Sequence, residues 1–269
     1  MSSDLPASAI EALIRPHVGE VSVVQRTVRG FSSDLTAQVD SARGRFFVKA
    51  VRNRPGGRVA SLARERLINP YVRPISPPIR WDVKDADWIV LGFTWAEGRS
   101  ASLRPGSADL PGVVELVESI GVINLPHPAR GWAETRWDRF TESESEAVLL
   151  QGDALLHTGI NPGNVLVGKR GLWAVDWAWP TRGAAFIDPA LLVLQLVAAG
   201  HDPAGAESWV SPCEAWSKAD PNAIDAFAAA TLRMYRFRVS RKPGTSWLET
   251  MVAACEAWSG YRGVRLPRS

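Results

Sequence analysis

Residues 153–177 read DALLHTGINPGNVLVGKRGLWAVDW. The segment opens on a short apolar run, Ala154-Leu155-Leu156, and passes into a polar loop from 157 to 164. A second run, Val165-Leu166-Val167, reaches the turn Gly168-Lys169-Arg170-Gly171, and a third run over 172–175 ends on a carboxylate, Asp176. Two apolar strands joined by a glycine-containing turn predict a hairpin. Such a hairpin presents Asn164 at its entrance and Asp176 at its exit. A side-chain amide and a carboxylate at one end of a hairpin suit a hard divalent cation that also holds phosphate oxygens.

HTGINPGN followed by VDW resembles the catalytic loop and metal-binding aspartate of the aminoglycoside phosphotransferases, relatives of the protein kinases. That family usually reads His-Gly-Asp-Leu-His-x-x-Asn and then Ile/Val-Asp-Trp/Phe. The resemblance assigns His157 as the loop's structural histidine and Asn164 and Asp176 as the Mg2+ ligands. The motif's second histidine is replaced by Asn161. Its third position, where the family places the aspartate that orients or deprotonates the acceptor hydroxyl, is Gly159.

The bulk properties frame this reading. At 269 residues the chain can bury a substantial core, in one large domain or two lobes. The net charge of +3 is mild and spread along the chain, which gives no case for nucleic acid. Cys213 and Cys255 lie in amphipathic segments and read as reduced, semi-buried thiols. The opening MSSDLPASAIEALI has no basic n-region and no long apolar stretch, and no run approaches the ~20 apolar residues of a membrane span. A soluble, cytoplasmic protein is therefore expected.

Ahead of the motif, residues 8–17 predict a short amphipathic helix capped by Ser8. Residues 21–29, 35–39 and 45–51 predict three antiparallel strands, with Lys49 in the third. Gly30, Phe31, Ser32, Ser33 and Asp34 form the first connection. Alone, such a loop is an ordinary hairpin turn and such a lysine an ordinary edge-strand charge. Residues 58–67 predict a helix carrying Glu65, stopped soon after by Pro70. The resemblance implies that Gly30 to Ser33 cover the nucleotide phosphates, that Lys49 reaches the α- and β-phosphates and that Glu65 pairs with Lys49. Strands over 79–83 and 87–93 follow, and the backbone from Gly92 and Phe93 to Trp95 is expected to read the adenine edge.

Residues 108–123 and 142–150 predict helices, and 180–183 a loop. Asp188 is expected to cap a strongly apolar helix over 189–199, and Ile187-Asp188-Pro189-Ala190 resembles the family's Gly-Asp-Pro segment, which implies that Asp188 accepts hydrogen bonds from the loop backbone. Asp202-Pro203 and Asp220-Pro221 each signal a capped helix start, and Ser246 with Glu249 a capping box. Trp209, Trp216, Phe227, Leu232, Trp247 and Trp258 are the expected apolar faces.

The expected architecture is α+β and protein-kinase-like. A small antiparallel-sheet nucleotide lobe over 1–93 precedes a mostly helical lobe over 94–269 that carries the catalytic loop and acceptor site. The implied function is ATP- or GTP-dependent, Mg2+-assisted phosphorylation of a hydroxyl on a small molecule such as an antibiotic or other natural product. Three readings of Gly159 stay open: a kinase altered at one position, by nature or by design; a nucleotide-binding pseudokinase; or a substitute base, with Asp153 the nearest carboxylate.

Overall fold

The computed structural model describes residues 5–27, 33–169 and 171–264, with residues 5–8 described by backbone alone. Two compact units emerge: Met1–Gly98 with Val175–Trp179, and Arg99–Ala174 with Pro180–Ser269. The division falls a few residues beyond the expected 93/94 boundary, and the short segment around Asp176 groups with the first unit.

In the first unit, α1 (Leu5–Val18) precedes β1 (Val21–Arg26), β2 (Leu35–Ser41) and β3 (Gly44–Arg52). Then come α2 (Gly57–Val72), β4 (Ile79–Lys84) and β5 (Trp88–Thr94). The strands form one antiparallel sheet in the order β1-β2-β3-β5-β4. Period-two alternation along β3 sorts its residues between two helices. Phe46, Val48 and Ala50 pack with Ile10, Ile14 and Val18 of α1. Val51, with Phe47 beside it, packs with Leu62 of α2. Lys49 shares the parity of Phe47 and Val51, so it faces α2.

Two helix boundaries differ from expectation. Because α1 begins at Leu5, Ser8 lies inside it instead of capping it. Helix α2 runs through Pro70 to Val72. Proline in a last turn removes one backbone hydrogen bond, and the neighbouring Asn69 offsets that loss. Its amide donates to Pro77 O at 2.9 Å and its Oδ1 accepts from Ile79 N at 2.8 Å, tying the helix end to the start of β4.

The second unit begins around β6 (Gly98–Ser100) and α3 (Leu110–Gly121), followed by α4 (Glu144–Leu149) and β7 (Ala154–Leu156). The predicted hairpin forms from β8 (Val165–Gly168) and β9 (Gly171–Ala174), in register from Val165/Ala174 to Gly168/Gly171. Arg170 in its turn lies outside the described residues. Residues 181–183, expected as loop, form β10 (Thr181–Gly183), antiparallel to β7.

Five helices complete the unit: α5 (Ile187–Ala198), α6 (Pro203–Val210), α7 (Glu214–Ser217), α8 (Pro221–Arg241) and α9 (Ser246–Tyr261). Asp202 and Asp220 cap α6 and α8 as expected, accepting from Gly205 N and Asn222 N. The Ser246/Glu249 capping box does not form. Thr245 occupies the cap position of α9, and its carbonyl accepts from Glu249 N, which leaves Ser246 inside the first turn. An aromatic core joins Trp137, Phe227 and Trp258, with ring centroids 4.8 Å and 6.4 Å apart. Trp247, expected in that core, is 58% exposed at the start of α9. Cys213 and Cys255 are free, buried thiols, and burial pushes both above the ordinary thiol pKa. Among the described residues no helix is long and apolar enough to cross a membrane.

Candidate active site

The first unit gathers three charges. Lys49 Nζ donates to both carboxylate oxygens of Glu65, at 2.7 and 2.9 Å, and to Asp176 Oδ1 at 2.7 Å. Glu65 lies in the buried stripe Leu62, Glu65, Ile68, Asn69, Val72, so an apolar-facing position of α2 carries a carboxylate. A buried carboxylate needs a partner, and the parity of β3 supplies Lys49 opposite it. Burial pushes Glu65 up from the ordinary carboxylate range, and the Lys49 charge pulls it down; the net direction is up. Burial lowers Lys49 while the Glu65 and Asp176 charges raise it, with a net direction upward. Two carboxylates share one ammonium, and they differ in access: the Asp176 side chain is 32% exposed, against 5% for Glu65. A partly exposed carboxylate is a ready ligand for a hard divalent cation, so the donor set fits one.

Asp176 has a left-handed backbone, φ 64°, a conformation that costs a non-glycine residue on the order of 1 kcal/mol or more. The segment is fastened to α2 beyond the charges: Trp177 N–H donates to Glu65, and the Arg64 guanidinium lies 5.0 Å from the Trp179 ring.

Gly30, Phe31 and Ser32 lie outside the described residues. Ser33 is buried. Next to it, Asp34 accepts from Arg52 N at 2.8 Å and ion-pairs with Arg58 at the start of α2. Gly92 and Phe93 lie within β5, not beyond it. Gly92 pairs with Val48 on one side and Trp81 on the other, and Phe93 with Phe47 and Ile79. A Cβ on Gly92 would come within 2.1 Å of the Trp81 indole. The glycine is therefore required by packing, and the strand leaves the sheet only after Thr94.

The second unit holds the 157–164 loop. Asp188, in the first turn of α5, accepts from His157 N at 2.7 Å and Thr158 N at 2.8 Å. It does not cap its own helix; its whole carboxylate is turned onto the loop backbone. Burial pushes Asp188 upward in pKa, opposed by His157 and by those two N–H groups. His157 Nδ1 accepts from Gly159 N at 3.1 Å, which places the proton of a neutral ring on Nε2. Asn161 Nδ2 and Asn164 Nδ2 both donate to Gly159 O, at 2.8 and 2.9 Å. With its nitrogen so engaged, Asn164 keeps Oδ1 as an acceptor that no described residue uses. An amide oxygen held in this way is a ready ligand for a hard cation.

One contributor carried no signal in the sequence. Arg136 donates to Thr158 O at 3.2 Å and Thr158 Oγ1 at 3.0 Å. Thr158 is a β-branched residue at φ 56°, where it is seldom found. Asp188 and Arg136 together engage its N–H, carbonyl and hydroxyl, which explains how the strained conformation persists. Glu134 braces the arginine segment, accepting from Arg136 N at 2.7 Å and Thr181 Oγ1 at 2.8 Å. Asp153, the candidate substitute base, pairs with Arg182 at 3.2 Å and is 84% exposed.

The chain matches no protein-family model and no curated protein sequence. Solved structures match its fold over nearly the whole length. Choline kinase LicA from Streptococcus pneumoniae superposes with a TM-score of 0.67 at 12% identity, covering 96% of this chain and 100% of that one. A thermostable mutant of aminoglycoside phosphotransferase APH(4)-Ia, in ternary complex with ADP and hygromycin B, gives 0.64 at 12% identity, with coverage of 96% and 100%. Amicoumacin kinase hAmiN, in complex with AMP-PNP, Ca2+ and Ami, gives 0.61 at 10% identity, with coverage of 97% and 94%. The chain therefore has the protein-kinase-like fold shared by small-molecule kinases.

Proposed function

We propose that the chain is a small-molecule phosphotransferase by descent, binding a nucleoside triphosphate with a divalent cation and directing phosphoryl transfer to a hydroxyl of a small acceptor. The observation that carries this reading is the buried Lys49–Glu65–Asp176 cluster. It brings a lysine and two carboxylates from three separate stretches of chain together, with the Asp176 carboxylate partly open to solvent. Lys49 is the group for the nucleotide phosphates, and Asp176 and Asn164 are the metal ligands. A bound divalent cation would neutralise charge on the transferring phosphate. The residues at 30–33 as phosphate cover and the backbone beyond Phe93 as adenine reader belong to the same proposal.

Gly159 leaves the loop without a carboxylate to orient the acceptor hydroxyl, and exposed Asp153, turned to Arg182, does not replace it. Turnover of this sequence is accordingly impaired. The same glycine favours a second reading, a nucleotide-binding pseudokinase with a sensing or scaffolding role. The two separate on Gly159→Asp. Acceptor-stimulated Mg·ATP turnover gained by the variant supports an altered kinase. Nucleotide binding by both proteins, with no turnover in either across hydroxylated antibiotics and metabolites, supports the pseudokinase.

A further inference from the structure

The arginines of the helical unit are not all neutralised. On α8, Arg233 pairs with Glu142 and Arg236 with Glu256. Arg238, half-buried one turn from the helix end, donates to no carboxylate or carbonyl among the described residues; its guanidinium lies 5.5 Å from the Tyr235 ring. Arg139, on the segment that packs against α8, lies over the adjoining rings of Phe140 and Phe237, 4.6 and 4.8 Å from their centroids. It too has no carboxylate partner. Contact with aromatic rings spends none of a guanidinium's N–H donors, which stay available for bidentate binding of an oxyanion.

Arg139 follows by three residues the arginine that touches the loop. Arg136, which bonds Thr158 beside Gly159, and Arg139 both contribute their charges at Arg238, and with burial they lower its pKa. Arginine in a last helical turn ordinarily complements the helix dipole, but that explains neither the burial of Arg238 nor Arg139 on another element. Of the nearby carboxylates, Glu134 is committed to Arg136 and Thr181, and Asp138 makes no ion pair. Arg136 is thus balanced by Glu134, while Arg139 and Arg238 meet no carboxylate among the described residues, and like charges disfavour one another unless an anion joins them.

We propose that Arg139 and Arg238 form an anion subsite beside the 157–164 loop, selecting an acceptor that carries a carboxylate or a phosphate group besides its hydroxyl. This deepens the phosphotransferase reading and rests on it. A polycationic acceptor would be repelled.

The test is calorimetry with the full chain in saturating Mg·ADP, titrating glucuronate, glucose 6-phosphate, glucose and glucosamine as probes. Separate titration of Mg·ADP reports on the nucleotide reading by itself, so either reading can fail alone. At least one anionic sugar should bind about tenfold or more tighter than glucose, and Arg139→Gln and Arg238→Gln should each weaken it about tenfold. Which anionic sugar binds distinguishes carboxylate from phosphate. Arg139 is exposed, so its variant keeps the test valid if Arg238→Gln melts early. Glucose or glucosamine binding as tightly as both anions, no binding of either anion, or anion binding unchanged in Arg139→Gln would overturn the proposal.

Discussion

The Lys49–Glu65–Asp176 cluster and the 157–164 loop are built on opposite principles. The cluster is a set of side-chain charges, in which one ammonium, Lys49, serves both carboxylates. The loop is held by its backbone: Asp188, Arg136, Asn161 and Asn164 all bond to main-chain groups of His157, Thr158 or Gly159. A loop held by bonds to its backbone does not need a carboxylate at 159 to form. The comparison explains how a carboxylate can be absent from the loop while both Asn164 and the cluster persist, and the two regions should respond differently to substitution.

The largest expected effect is at the loop. Gly159→Asp should raise acceptor-dependent turnover by about 10²–10⁴-fold. A Cβ at 159 would stand 3.1 Å from Asn164 Nδ2 and 3.2 Å from the His157 ring, so these side chains must yield by a few tenths of an ångström. Stability should change little, as measured by melting. At the cluster, Lys49→Met leaves the buried Glu65 carboxylate without its ammonium and should cost about 3–5 kcal/mol in denaturant unfolding. Asp188→Ala removes two charge-assisted bonds to the loop and should cost about 3 kcal/mol, with any nucleotide affinity of the first unit unaffected; a matching loss of affinity would erase the contrast. Gly92→Ala drives a methyl into the Trp81 ring and should cost about 1–3 kcal/mol.

The smallest effect is a pH control outside both regions. Bonds from Arg99 and Ser102 N hold Asp109 down to about 2, below the ~3.9 of an unfolded carboxyl. Its stabilisation is thus present above pH ~4 and lost as pH falls toward 2. Asp109→Asn should flatten that part of the acid-unfolding curve.

Much of the cluster was legible in the sequence because its members stand on regular elements. The pairing of Lys49 with Glu65 was legible through the family resemblance and the order of elements, and the parity of β3 and the buried stripe of α2 are what put the two on facing surfaces. Aspartate-proline pairs located the starts of α6 and α8 because a cap followed by a first-turn proline is a local signal. Asp188 was half legible: its reach to the loop was expected, but its apparent capping role was not borne out, since one carboxylate cannot serve both. Arg136 was not legible at all, because its contact with Thr158 spans 22 residues and has no periodicity. Pro70 misled for the opposite reason, a strong local signal overridden by the tether from Asn69 to β4.

The central claim is that the first unit keeps a nucleotide-holding charge cluster although the loop lacks its carboxylate. Calorimetric titration of Mg·ATP into the chain and into Lys49→Met tests it most directly. The account predicts saturable binding by the parent that needs the divalent cation and is lost in the variant. No binding by the parent, or equal binding by both, would contradict it.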